Sequence, residues 1–72
     1  MQIIINGEKK IIDNNTTLAA LLKELAIDAQ RVAVELNRNI INKTDYSKTI
    51  LKENDLLEIV SFIGGGKNWM IN

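Results

Sequence analysis

Residues 1–5 alternate between two sides of an extended chain, and the dipeptide Asn6-Gly7 follows them at once. The side made of Met1, Ile3 and Ile5 is apolar, so we expect it to face the core. A two-residue turn between antiparallel strands needs positive φ at both central positions, and Asn-Gly tolerates this well. The sequence therefore predicts a β-hairpin, whose second strand runs over residues 8–13.

The hydrophobic period changes after Thr17. Leu18, Leu21, Leu22 and Leu25 recur at helical spacing, which predicts an amphipathic helix of about nine or ten residues. Residues 13–16 form a turn ahead of this helix and offer candidate caps for it. Because a helix this short is unstable alone in water, we expect it to pack on the sheet.

Three further strands are predicted downstream, over residues 31–36, 40–41 and 56–63, with Tyr46 anchoring an irregular segment between the last two. The last strand is the most apolar. Its alternation sets Leu57 and Ile59 on the side opposite Glu58. Because an unpaired charge is costly in a core, we predict that Leu57 and Ile59 face inward and that Val60 and Phe62 lie outside beside Glu58.

The predicted order is hairpin, helix, strand, short strand, strand. The helix acts as the crossover that lets a later strand lie parallel to the first. This order predicts an α+β, β-grasp (ubiquitin-like) fold, with a mixed four- to five-stranded sheet and one helix packed on one face. The other face stays open, and on it Val60, Phe62 and Glu58 are the candidate partner-binding residues, with Ile4 and Ala33 predicted beside them. The alternative is that these residues are the ordinary apolar exposure of a small sheet.

The composition argues against several kinds of chemistry. The chain has no Cys and no His, so it lacks a thiolate nucleophile, the sulfur ligands of metal sites and the commonest general base. Nine basic and nine acidic residues cancel, which gives no electrostatic footprint for nucleic acid. No apolar run approaches the roughly 20 residues of a membrane span, and the start has no signal-peptide pattern. We expect no catalytic residue, no metal, no bound cofactor, no nucleic acid, no membrane contact, and a location in the cytoplasm, or in the plastid stroma if the gene is organellar.

Gly64, Gly65 and Gly66 follow the last predicted strand with no polar turn residue between. Glycine lacks Cβ, so a run of it can pass through a channel too narrow for side chains. Three such residues reach about 10 Å beyond a strand. Taken alone, the run is either a flexible spacer or a stalk for a reactive carboxylate.

The segments MQIIINGE, TLAALLKEL, VAVELN and ENDLLEIVSFIGGG occur in this order, and together they resemble the ThiS family, the sulfur carrier proteins of thiamine biosynthesis. The resemblance covers residues 1–66. The MoaD family, the small subunits of molybdopterin synthase, and other ubiquitin-related modifiers share the fold and the tail. The Asn-Gly hairpin and the VAVELN strand fit the ThiS family better.

This resemblance implies a carrier cycle in which Gly66 is the reactive residue and Gly65 its partner in a terminal diglycine. A ThiF-type, E1-like adenylating enzyme would consume ATP to activate the carboxylate, and sulfur from a persulfide donor would displace AMP and leave a thiocarboxylate. A ThiG-type thiazole synthase would then take the sulfur. The chain itself would be a co-substrate and not an enzyme. Molybdopterin and thiolated tRNA stay open as alternative destinations.

Residues 67–72 depart from the family pattern, which normally ends at the diglycine. With Gly66 in a peptide bond, no carboxylate is available there. We predict a carrier domain over residues 1–66 and an extension that is flexible or is removed by a protease. If the extension is retained, the alternative is a ubiquitin-like binding module that carries no sulfur. Trp69 is either a disordered terminal residue or folds back onto Val60 and Phe62 to shield them.

Overall fold

The computed structural model describes residues 1–63 and 67–70, apart from the side chains of residues 62–63 and 67–70. The main elements are, in chain order, β1 (Gln2–Ile5), β2 (Glu8–Ile11), α1 (Leu18–Glu24), β3 (Val32–Leu36), β4 (Asn39–Ile40), β5 (Leu56–Ile63) and β6 (Lys67–Met70). Two single-turn 3₁₀ helices cover Ala29–Arg31 and Lys43–Asp45.

The strands form one mixed sheet in the order β2-β1-β5-β3-β4, and β6 pairs additionally with β5. Strands β1 and β5 are parallel, whereas β2, β3 and β6 run antiparallel to the strands they join. With α1 as the crossover, this confirms the predicted fold, and β5 has the predicted bounds. The strand at Lys67–Met70 is an addition that the sequence did not predict.

Both tight hairpin turns use residues with positive φ. Asn6 (φ 49°) and Gly7 (φ 84°) join β1 to β2, as predicted, and Asn37 (φ 51°) and Arg38 (φ 72°) join β3 to β4. Strand β2 ends at Ile11, two positions before the predicted end at 13. There the backbone N–H of Ile12 donates to the Met1 carbonyl at 2.8 Å, after which the chain leaves the sheet.

The cap of the helix lies one residue after the predicted capping turn, residues 13–16. The Thr17 hydroxyl accepts a hydrogen bond from the Ala20 N–H at 3.1 Å, so the cap is Thr17 and not a residue of 13–16. The helix has seven residues, fewer than predicted, because Ala26 adopts φ 59°. The Ala26 N–H donates to the Lys23 carbonyl and the Ile27 N–H to the Leu22 carbonyl, which is the Schellman pattern of a helix end.

The core lies between α1 and the face of the sheet that the helix covers. Leu57 and Ile59 are fully buried there, as predicted, and the Tyr46 side chain is buried with them. The other buried apolar side chains are those of Ile3, Ile5, Ile12, Leu18, Leu21, Leu22, Val32, Val34 and Leu51. Nowhere in residues 1–63 and 67–70 is a helix both long and apolar enough to cross a membrane.

A polar cluster fixes the start of β5. The Asp55 carboxylate is 9% exposed and accepts hydrogen bonds from the Lys52 N–H at 2.7 Å and the Asn37 Nδ2 at 3.1 Å. The Asn37 Oδ1 accepts in turn from the Leu56 N–H at 3.0 Å. Because these bonds join the turn before β5 to the end of β3, the register of β5 is set at its first residue.

Ala26 occupies a left-handed position that costs an L-residue about 1–2 kcal/mol relative to glycine. We therefore expect Ala26→Gly to raise the free energy of unfolding by about 1 kcal/mol in denaturant titrations. The matched control is Ala20→Gly, at an exposed position inside α1. It should lower the free energy of unfolding by about 1 kcal/mol. Two substitutions with the same sign would contradict the assigned helix end.

Candidate functional site

Strand β5 leads directly to the predicted tail and is paired along both edges. On one edge it pairs with β3 from Leu57 to Ser61. On the other it pairs with β1 at Leu56 and Leu57, and with β6 from Val60 to Ile63. Gly66 and Gly65, the predicted reactive terminus, and Gly64 of the predicted tail lie outside the described residues, so their roles stay predictions.

The side chain of Asn6 fills the gap between β1 and β6 on that second edge. Its Oδ1 accepts a hydrogen bond from the Ile59 N–H at 2.8 Å, and its Nδ2 donates to the Ile59 carbonyl at 3.2 Å. A carboxamide has the same donor and acceptor as a peptide group, so Asn6 acts as one more rung of the ladder. Sequence reasoning gave Asn6 a turn role only, because the contact spans 53 positions along the chain.

The open face of the sheet carries the predicted partner-binding residues that the structure describes. Val60 is half-buried and lies directly opposite Ala33, and Glu58 is exposed. Ile4, which was predicted to be adjacent on this face, lies on it. Ile4 is opposite Leu56, four positions from Val60 and so about 13 Å away along β5. The side chain of Phe62 lies outside the described residues.

Glu58 pairs across the sheet with Glu35, so two acidic residues are direct cross-strand neighbours on the open face. In the described part of the chain neither carboxylate has a hydrogen bond or an ion pair, since the ion pairs there join Lys10 to Glu24 and Arg31 to Asp28. Like charges directly opposite each other destabilise a sheet. The fold therefore tolerates a small repulsion at the centre of this face. The sequence analysis did not name Glu35 as a site residue. The register of β3 against β5 is what places it beside Glu58.

Two exposed isoleucines extend the open face toward its outer strands. Ile40 is 74% exposed and lies opposite Glu35, and Ile11 is 73% exposed and lies opposite Gln2. Together with Ile4, Ala33, Leu56 and Val60 they form the apolar part of this face, which also carries Lys9 opposite Ile4. We call this set, with Glu35 and Glu58, the open-face patch. Apolar patches with a few polar groups are typical of protein interfaces.

Strand β6 places Met70 and Asn68 opposite Val60 and Phe62, and Trp69 opposite Ser61. The packing of the Trp69 side chain lies outside the described residues, so the prediction that it shields Val60 and Phe62 stays a prediction. What the structure adds is that the backbone of residues 67–70 pairs with β5.

The Tyr46 hydroxyl has a pKa that is shifted by its position in the core. Burial raises the pKa of the Tyr46 hydroxyl, and a hydrogen bond with the Val34 backbone lowers it in part. Tyr46 belongs to the core beneath α1, where its carbonyl accepts from the Ala19 N–H. Within residues 1–63 and 67–70, no three acidic, His or Cys side chains lie close enough together to hold a metal ion.

The family model that matches this sequence is described as the ThiS family, and the match covers residues 3–66. A protein named thiazole synthase from Paramagnetospirillum magneticum is 44% identical over 94% of this chain. The chain spans only 21% of that protein and of a second thiazole synthase. A sulfur carrier protein ThiS from Bacillus subtilis is 40% identical over 69% of this chain and 76% of its own length. The crystal structure of a thiamine biosynthesis protein (ThiS) from Geobacter metallireducens superposes with a TM-score of 0.79 at 30% identity, over 92% of this chain and 100% of that chain.

Removing the Asn6 side chain should weaken the edge of β5. We expect Asn6→Gly, which keeps the positive φ free of strain, to lower the free energy of unfolding by about 1–3 kcal/mol, since it leaves the Ile59 N–H and carbonyl without their partner. The matched control is Asn15→Gly, because Asn15 is exposed at φ 66°. The control should leave stability unchanged or slightly higher. Equal losses in both variants would refute the bridging role of Asn6.

Proposed function

This chain belongs to the ThiS family, and from that premise we propose that it is a sulfur carrier in the biosynthesis of thiamine. The observation that carries the proposal is the family match, which runs to Gly66. It is supported by the end of β5 at Ile63, immediately before the three glycines. The Bacillus subtilis relative is named for the same role. Gly66 is then the reactive residue and Gly65 its partner in the diglycine.

The proposed cycle begins with hydrolysis of the bond between Gly66 and Lys67, which frees the Gly66 carboxylate. A ThiF-type adenylating enzyme joins that carboxylate to AMP and releases pyrophosphate from ATP. A persulfide attacks the acyl carbon and expels AMP, which leaves an acyl disulfide. A thiol then attacks the sulfur of this acyl disulfide that is not bonded to the acyl carbon, so that a new disulfide and the Gly66 thiocarboxylate are the products.

Every catalytic group in this scheme belongs to a partner. The carrier supplies only a folded domain, a docking face and a narrow tail, which suits a chain without Cys or His. The chain thus acts as a co-substrate, binds no cofactor of its own, and works in a reducing compartment such as the cytoplasm or, for an organellar gene, the plastid stroma.

We propose thiazole synthase as the enzyme that receives the sulfur. The support is that proteins named thiazole synthase contain a stretch similar to nearly all of this chain, which makes up 21% of their length. A carrier and its acceptor that act in succession gain a high effective concentration when they share one chain. MoaD-like delivery to molybdopterin or tRNA has no comparable support.

The open-face patch is the proposed docking surface for the adenylating enzyme. Its centre combines unpaired Glu35 and Glu58 with half-buried Val60 and Ala33. A partner surface that is apolar and carries one guanidinium or ammonium group would relieve the repulsion between the two carboxylates. Binding would then gain from burial of apolar area and from this charge pairing together.

The second candidate is a ubiquitin-like binding module that keeps residues 67–72. The pairing of β6 with β5 is the observation that favours it, because residues 67–70 belong to the sheet. The two candidate functions differ in whether the peptide bond between Gly66 and Lys67 is intact in the working protein.

The mass of the protein isolated from its own thiamine-starved cells tests the proposed function. Under non-reducing, thiol-free conditions, we expect a species that ends at Gly66 and has one oxygen replaced by sulfur. Cells that lack the adenylating enzyme should accumulate the same species with oxygen in place, which separates trimming from sulfur loading. If every molecule continues past Gly66 under starvation, the binding module is the correct function.

Reversing the charge of Glu58 should separate docking from folding. We expect Glu58→Lys to raise the dissociation constant for the adenylating enzyme by at least about tenfold, since it places a cation against a complementary basic site. The same change should raise the free energy of unfolding by a few tenths of a kcal/mol, about the gain from replacing a like-charge pair by an opposite one.

The matched control for this change is Glu8→Lys. Glu8 is exposed and lies opposite Ile5, whose side chain faces the core, so its charge lies on the other side of the sheet. Calorimetric titration should give unchanged affinity for the control. Equal weakening in both variants would mean that overall charge, and not the open-face patch, governs the encounter.

A further inference from the structure

The register of β5 shows that β6 occupies the edge that β1 leaves free. At Leu57, β5 pairs with Ile5 on one side and Leu36 on the other. At Ser61 it pairs with Val32 and with Trp69. Since β3 accounts for one partner in both cases, β1 and β6 must share the opposite edge. They follow one another along it, with the Asn6 carboxamide between them at Ile59.

The alternation of backbone groups identifies the hydrogen-bonded rungs of this edge. The Leu57 carbonyl accepts from the Asn6 N–H, and both backbone groups of Ile59 bond to the Asn6 side chain. Backbone groups of a strand point to alternate edges, so those of Ser61 and Ile63 point to the same edge. The pairs Ser61–Trp69 and Ile63–Lys67 are therefore the hydrogen-bonded ones, and the N–H of Asn68 points away from β5.

This pairing limits how far the chain after β5 can reach. In a hydrogen-bonded antiparallel pair, the Cα atoms of Ile63 and Lys67 lie about 5.5 Å apart. An extended chain would separate the same two atoms by about 13 Å. A protease that cleaves the bond between Gly66 and Lys67 needs the extended form, so it cannot act while β6 stays paired.

We propose that the edge of β5 at Ser61 and Ile63 is a strand-accepting site. Strand β6 fills it in the full chain and is autoinhibitory because it delays cleavage after Gly66, and an extended segment of the adenylating enzyme takes its place once residues 67–72 are removed. This inference rests on the proposed function, since it concerns access to Gly66. Removal of β6 leaves the backbone groups of Ser61 and Ile63 unpaired on an exposed edge. Such an edge readily accepts an added strand. The enzyme thereby binds at the point where the tail leaves the domain.

Backbone amide exchange in the 72-residue chain tests the inhibitory pairing. We expect slow exchange at the amides of Ser61 and Ile63. In Trp69→Pro their exchange should be about tenfold faster, which corresponds to the free energy of about one net hydrogen bond. Asn68→Pro is the matched control, since it removes an N–H that points to solvent and should leave exchange unchanged. Trp69→Val, which keeps the strand without the indole, should also leave it unchanged. The Val60 N–H, which faces β3, serves as the internal reference.

The second half of the experiment adds the adenylating enzyme to the chain trimmed at Gly66. The Ser61 and Ile63 amides should exchange rapidly in the free trimmed chain and slowly in the complex. Rapid exchange in the full chain, equal effects of the two proline variants, or no protection in the complex would overturn the inference. None of these results alters the mass of the cellular protein, so the test of the proposed function is independent of this one.

Discussion

Backbone pairing along β5 is the interaction on which the rest of the structure depends. This strand lies between β1 and β3, and the only parallel contact among the described strands is the one it makes with β1. Its inward residues, Leu57 and Ile59, are fully buried against the helix. Its first residue is held by the Asn37 carboxamide, and Asn37 also bonds to the buried Asp55. A change that shifts β5 by one residue would turn its buried side chains to solvent and bring Glu58 into the core.

The parts of the fold that were predictable from the sequence are those set by short-range rules. Alternation around Glu58 gave the bounds and the inward face of β5, and Asn6-Gly7 gave the first hairpin. The helix end was wrong because Leu25 and Ala26 are good helix formers, and only the positive φ of Ala26 ends α1 there. The bridge from Asn6 to Ile59 depends on two segments far apart in the chain, and no local pattern carries that information.

The same distinction between short-range and long-range information applies to the candidate site. Glu58, Val60 and Ile4 were placed correctly on the open face by alternation. The pairing of Ile4 with Leu56 was not predicted, because parallel register has no signature within one strand. Glu35 escaped notice since its neighbour lies on another strand. Strand β6 was missed for a different reason, because a four-residue polar and apolar mixture after glycine has no pattern that distinguishes a strand from a frayed end.

The Asn6 carboxamide also makes the order of the edge of β5 dependent on a slow chemical reaction of this side chain. An asparagine followed by glycine is prone to deamidation, and in the aspartate product a carboxylate replaces the side-chain amide. A carboxylate still accepts from the Ile59 N–H, but it has no hydrogen to donate to the Ile59 carbonyl, which the amide contacts at 3.2 Å. Two oxygens would then face each other at the rung next to β6. An aged molecule would therefore keep its core and lose order first at the edge of β5.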